Sequence, residues 1–458
     1  MVLVVRPVLV YSSPKRKLAT SWRDWGAIQT SEAARYEAQR IADELKKLEA
    51  KADFPIKILS LTIIANKKDL KTLFKSEKDK EQLPDVYIIY AAGGKWRILR
   101  SLVSRRRSII FLRHLSGPTY LWYEIVHPTL IRATTDRRFQ SWIDYDDVVI
   151  DDYNEIFVRL KALYGLKNTL GRKIISIGRA GGWGNPINAI LSPIRARTKW
   201  KLRIKSVSYR KLKKMINAGF RKYHTTAQEM AEKYLSSKGV SLKTDKNFVI
   251  NAFILYLVFK EIMRKYQADA ITVNECMSTI IPIAKTTACL TLSLLNDEGY
   301  MAFCESDFVV IPCGILMRQI SGRPVFLNDP TFPHDGIVTI AHCTAPRKMD
   351  GTDTADVTIM THFESDYGAA PKVEFKKGQV VTIVIPDFNF KKYVVFKGKI
   401  AGSPNFEICR SQAEILIEGN WRRLVEEMRG FHWLMVYGDY IREIKYALKK
   451  LGIKVLLL

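Results

Sequence analysis

Apolar runs and helical stripes alternate through the first 170 residues. The chain opens on "LVVRPVLVYS", and "SEAARYEAQRIADELKKLEA" then sets Ala34, Ala38, Ile41, Leu45 and Leu48 on one helical stripe behind a Ser31 cap. "IKILSLTII", "DVYIIYAA" and "SIIFLRH" are short and almost continuously apolar, the pattern of strands buried on both faces of a parallel sheet. This region reads as an α/β domain.

A second round of the same texture starts at "GRKIISIGRAGGWGN", residues 171 to 185, and reaches "DAITV" at 269 to 273. Gly178, Gly181, Gly182 and Gly184 match neither GxGxxG nor GxxxxGK[ST]. A strand-to-helix turn is expected there, with a phosphate-binding loop as the alternative. After Pro324 the pattern changes to short strands parted by Gly, Pro and Asp: "IVTIAHC", "ADVTIMTHF", "QVVTIVIP", "KYVVFKGKIAG" and "AEILIEG". Such spacing predicts an antiparallel barrel or sandwich. A strand, a helix and a last strand close the chain.

With 458 residues, 47% of them hydrophobic and 26% charged, the chain is globular and long enough for roughly three domains. The longest apolar run, "FVINAFILYLVF" at 248 to 259, is too short to span a bilayer and predicts a buried helix. Arg6 interrupts the apolar N-terminus and no small-residue cleavage site follows, so a cytoplasmic protein is expected. The six cysteines show no CxxC spacing and are expected as free, mostly buried thiols rather than disulfides or a structural zinc site. The net charge of +27 is partly concentrated in Arg195 to Lys222, which holds twelve basic residues and no acid. That segment reads as a solvated or subunit-facing surface, or as a face attracting phosphorylated sugars through Lys199, Lys201 and Arg203. Nucleic-acid binding ranks last, because no aromatic-rich basic module accompanies the charge.

Glu305, Asp329, His342 and His432 each follow or sit in a strand-like run, and each can bind metal or move a proton. Two carboxylates with one or two imidazoles suit a borderline-hard divalent ion such as Mn²⁺, with open positions for substrate oxygens.

"AITVNECMSTIIPIAKTTACLTLSLLNDEGYMAFCESDF", "LMRQISGRPVFLND", "TIAHCTAPRKM" and "GFHWLMVYGD" occur in this order between residues 269 and 458. Together they resemble the L-fucose isomerase and L-arabinose isomerase superfamily, in its fucose-isomerase-like branch. The resemblance implies two N-terminal Rossmann-like α/β domains, 1–170 and 171–323, followed by a C-terminal β-rich, barrel-like domain, 324–458. It also implies a homo-oligomer, trimer or hexamer, with a small-molecule sugar substrate and aldose–ketose isomerisation on Mn²⁺ or another divalent metal. Proton transfer between C1 and C2 would pass through a cis-enediol. Glu305 and Asp329 would be the catalytic acids and, with His432 and His342, the metal ligands. Asn328 and Asp335 compete for the place given to Asp329. His362 either lines the pocket or lies on a surface loop, while Cys304 and Cys343 are expected to serve packing.

Overall fold

The computed structural model describes residues 1–77, 83–127, 130–131 and 143–458. Two compact units make up the chain, Met1–Lys167 and Asn168–Leu458.

The first unit is built on six parallel strands: β1 (Leu3–Val10), β2 (Ile56–Ile58), β3 (Thr62–Ile64), β4 (Val86–Ala91), β5 (Arg107–Leu112) and β6 (Val148–Ile150). Their order is β2-β1-β4-β5-β6, and β3 continues the β2 side by pairing with the second half of β1. Every residue of β4 is buried, as its unbroken apolar run requires of a strand covered on both faces. The helix Ser31–Ala50 forms where the stripe predicts, but Thr30 rather than Ser31 caps it. Thr30 has the extended backbone that carries its hydroxyl back to accept from the Ala33 N–H. On that helix Glu37 is buried among the apolar positions because Arg113 Nε donates to it at 2.6 Å. A second arm of the same guanidinium holds Glu44 at 2.6 Å, so this buried charge is paired twice.

In the second unit, β7 (Lys173–Ile177), β8 (Arg203–Val207), β10 (Ala270–Val273) and β11 (Met301–Phe303) form a parallel sheet in the order β11-β10-β7-β8. A three-stranded sheet joins β9 (Val240–Lys243), β14 (Val357–Met360) and β15 (Ala370–Val373). The remaining strands include β12 (Phe326–Pro330), β13 (Ile337–His342), β16 (Val380–Ile385), β17 (Lys392–Gly402), β18 (Ser411–Glu418) and β19 (Trp433–Tyr437). These six pair antiparallel in the order β16-β19-β12-β13-β18-β17, and the β16–β17 pairing closes the barrel. Closure leaves no barrel edge open, and β20 (Lys454–Leu457) adds in parallel to the long β17. The fold is therefore mixed α/β, with parallel sheets in its N-terminal half and a closed six-stranded barrel towards its C-terminus. The barrel alternative of the sequence pattern is the one adopted. "VTIM" is the exception, leaving the barrel as β14 to pair with β9 and β15.

One hydrophobic core runs from the parallel sheet into the barrel, through Ile175, Ile271 and Cys304 to Phe326, Ile340 and Met435. The helix Ile311–Ser321 links β11 to β12 and lies against both layers. Gly314 permits that approach: a Cβ there would stand 2.6 Å from the Phe303 ring and 3.4 Å from Leu434. The apolar run at 248 to 259 lies inside the buried helix Lys246–Tyr266. Among the described residues, no single helix is long and apolar enough to cross a membrane.

Candidate metal centre

Glu305 stands just beyond the C-terminal end of β11, in a turn where both Glu305 and Ser306 adopt positive φ, +60° and +47°. Left-handed backbone disfavours side chains with a Cβ, so the turn is held from outside. The Thr272 hydroxyl on β10 accepts from the Ser306 N–H at 3.1 Å, and Asp307 forms a bridge to Gly181. Asp329 comes from β12 and His342 ends β13, while His432 immediately precedes β19. Barrel register explains their meeting. Asn328 pairs with Trp433, so one step further Asp329 stands opposite His432, and Asp329 also pairs with Ala341 beside His342.

The four predicted residues converge. His432 Nε2 lies 3.2 Å from Glu305 Oε2 and 3.4 Å from Asp329 Oδ1, and His342 Nε2 is 3.9 Å from Glu305 Oε1. Ligand atoms of Asp329, His342 and His432 all lie within 4.8 Å of one another. Neighbouring ligands on an octahedral divalent cation stand about 3 Å apart at bond lengths near 2.1 Å, so small side-chain adjustments would suffice. The donor chemistry also fits, with two carboxylate groups and two imidazoles. Most telling, Asp329 Oδ1 and His432 Nε2 are buried without a hydrogen bond. Unsatisfied buried polar atoms are costly, and a cation at their meeting point would satisfy them.

Both imidazoles are oriented from behind. His342 Nδ1 is 2.9 Å from the Thr344 hydroxyl, which turns Nε2 towards Glu305. His432 Nδ1 is 2.8 Å from Asp307 Oδ2, and Asp307 Oδ1 accepts from the backbone N–H of Trp183 at 3.2 Å and of Val309 at 3.0 Å. Burial alone would lower the basicity of His432, but the hydrogen bond to Asp307, the nearness of Glu305 and the negative charge of Asp329 push it up to about 10. The carboxylates part in opposite directions. Burial raises both, yet in Glu305 the adjoining His432, with the charges of His342 and His362, reverses the effect and leaves it below its ordinary range. Asp329 ends above its ordinary range because burial, reinforced by the Glu305 charge, outweighs the two histidines.

Asp335 is exposed in the β12–β13 turn with φ +49°, so it does not compete with Asp329. Asn328 is fully buried, its amide nitrogen donating to Phe326 O at 3.0 Å. His362 is only 5% exposed, so the surface-loop alternative fails: its ring is drawn into a group with Cys343 and Cys409. Cys304 is buried next to Glu305, and its sulphur is within reach of the same donors. The role of Asp307 escaped the pattern reading, although an acid ahead of the apolar run "FVVIPCGIL" was its available signal.

Residues 178 to 185 form the strand-to-helix connection, ending at Asn185, whose side chain caps the helix Pro186–Lys199. Gly178 has φ +82° and lies under Tyr209, leaving no room for a Cβ. Trp183 from this loop stacks on Phe431 at 5.0 Å and meets the His432 ring edge-on at 5.9 Å, which gives the centre a partly exposed aromatic rim. In the basic segment, Lys199 donates to Phe390 O at 2.9 Å and Arg203 to Gly171 O at 2.8 Å. Arg197, Lys205 and Lys211 line a cleft of about 790 Å³ together with Tyr266, and none of the four converging residues lines it. Compared with known proteins, the chain matches no family model and no curated protein.

Proposed function

We propose that the chain is a divalent-metal-dependent aldose–ketose isomerase acting on a sugar. Glu305, Asp329, His342 and His432 hold the cation, and Glu305 and Asp329 handle the proton. The observation that carries this reading is the meeting of two carboxylates and two imidazoles, with Asp329 Oδ1 and His432 Nε2 buried and unsatisfied. A Mn²⁺-class ion there supplies Lewis acidity to a carbonyl and its neighbouring hydroxyl. Glu305, kept ionised, is suited to accept the proton from the carbon beside the carbonyl and return it to the adjacent carbon. Asp329, the second carboxylate of the set, would carry the proton that moves between the two oxygens. No proton is gained or lost overall, as isomerisation requires. The Trp183 and Phe431 faces offer apolar surface to the C–H side of a sugar.

The order of motifs from residue 269 onward supports the fucose-isomerase-like assignment, as does a mixed α/β fold with parallel sheets in the N-terminal half and a closed β-barrel towards the C-terminus. A homo-oligomer of the trimer or hexamer class and a cytoplasmic location belong to the same proposal. The deciding experiment measures bound metal and deuterium incorporation from solvent at C1 and C2 of pentoses and hexoses. Wild-type protein should bind a divalent ion and exchange. Glu305→Gln should abolish exchange and weaken metal binding. Metal binding without exchange on any sugar would replace the isomerase by a metal-containing binding protein.

A further inference from the structure

We propose that Cys289, Cys343, Cys409 and His362 form a second metal site, a Cys₃His set for a borderline-soft cation of the Zn²⁺ class. Sulphurs of Cys343 and Cys409 and a ring nitrogen of His362 all lie within 4.8 Å of one another. Cys289 packs against Cys343 in a small buried cluster with Ala370, and Cys409 adjoins it. In a tetrahedral zinc site, with Zn–S near 2.3 Å and Zn–N near 2.0 Å, ligand atoms stand roughly 3.5–3.8 Å apart, inside the 4.8 Å that bounds the ligand atoms of Cys343, Cys409 and His362, and Cys289 would join them through its contact with Cys343.

The four residues arrive from four segments. Cys289 begins the helix Cys289–Asp297, Cys343 follows β13, His362 follows β14 and Cys409 precedes β18. Side chains around them fix their directions. The Ser365 hydroxyl is 3.4 Å from His362 Nδ1, which leaves Nε2 for the thiols. Arg410, next to Cys409, donates its backbone N–H to Cys343 Sγ at 3.4 Å, and its guanidinium holds Thr361, next to His362, through the carbonyl at 2.8 Å and the hydroxyl at 3.2 Å. Such outer partners hold first-layer ligands in place. A cation bound there would displace the protons that the thiols otherwise carry.

Softness separates this site from the neighbouring one. Thiolate and imidazole donors select zinc over Mn²⁺, whereas the carboxylate-rich set around Glu305 favours the harder ion. His342 and Cys343 are consecutive but serve different sets, and no ligand is shared. The inference rests on its own geometry and does not need the isomerase reading.

The test uses full-length reduced protein, stripped with chelator and reloaded with Co²⁺ or Zn²⁺ alone. One equivalent of Co²⁺ should give near-ultraviolet thiolate-to-metal absorption that Zn²⁺ displaces. The band should persist in Glu305→Gln and in Cys304→Ser, and be lost in Cys409→Ser and shifted in His362→Ala. Thiol titration of wild-type protein should show Zn²⁺ protecting three of the six cysteines. No thiolate band in wild-type protein, a band that survives Cys409→Ser, or a Cys343–Cys409 disulfide in protein purified without reductant would each overturn the proposal. Loss of the band in Cys304→Ser alone would also overturn it, by moving the sulphur ligand to the Glu305 centre. Should Cys409→Ser fail to fold, the wild-type spectrum and the titration decide.

Discussion

Asp307 Oδ2 takes the Nδ1 side of His432 at 2.8 Å, and neither side chain has any exposure to solvent. The pair joins the two halves of the second unit's architecture, since Asp307 follows the last strand of the parallel sheet and His432 introduces a barrel strand. With Asp307 accepting, the hydrogen of a neutral imidazole sits on Nδ1 and the Nε2 lone pair faces Glu305 and Asp329. Two residues far apart in the chain therefore decide whether His432 can serve as a ligand at all.

Asp307→Asn should uncouple that arrangement while leaving shape nearly unchanged. Oδ1 already accepts from two backbone N–H groups, so the new amide NH₂ is directed at His432 Nδ1. Two donors then face each other, and the ring relieves the clash by moving its hydrogen to Nε2, where the proposed cation would bind. Metal affinity should fall by about 10- to 100-fold. Titration calorimetry with Mn²⁺ on wild type and variant measures it; unchanged affinity would show that Asp307 does not orient a ligand.

His432 also predicts how pH acts on metal-free protein. Its proton affinity is raised from the ordinary 6.5 to about 10 in the folded chain. A raised value means that the folded state holds the proton more tightly than the unfolded chain. The resulting stabilisation is complete below about 6.5 and is lost as pH climbs through about 10, a loss of a few kcal/mol at most. Bound cation needs the neutral ring, so metal and proton compete, and apparent metal affinity should rise with pH over the same window. Thermal unfolding between pH 6 and 10 with and without chelator reads both effects. The chelated protein should lose melting temperature on the alkaline side and the metal-loaded protein should not; parallel curves would exclude His432 as a ligand.

The elements that sequence pattern located are those whose signal is local. Fully buried β4 needs a continuous apolar run, and the helix Ser31–Ala50 needs its stripe, so each is written in adjacent residues. Even there, Glu37 breaks the stripe because its partner Arg113 lies 76 positions away. The four members of the Glu305 centre were recognisable as strand-end carboxylates and imidazoles, whereas their convergence depends on the pairing of Asn328 with Trp433. Barrel closure through β16 and β17 is equally invisible in a strand's own alternation. The thiol cluster leaves no local mark for the same reason. Cys289, Cys343 and Cys409 have no short spacing, and three segments must fold before their sulphurs meet.

Trp183→Ala tests whether the aromatic rim supports the proposed sugar. The indole stacks on Phe431 at 5.0 Å with an interplanar angle of 21° and presents its face or edge to the rings beside it, meeting His432 at 86°. It touches no carboxylate of the metal set, and only its backbone N–H reaches Asp307, so truncation should leave metal content intact. The loss falls on substrate. An aromatic stacking contact contributes about 0.5–1.5 kcal/mol beyond its buried area, so KM should rise by roughly 2- to 13-fold. Water admitted beside His432 would weaken the electrostatic interactions there and reduce kcat to a smaller extent. Trp183→Phe keeps a stacking face and should restore most of the KM. Steady-state kinetics on the best sugar from the exchange panel, run beside metal analysis, separates the cases: a variant that loses metal would make Trp183 part of the scaffold, and one with unchanged KM would place the sugar elsewhere.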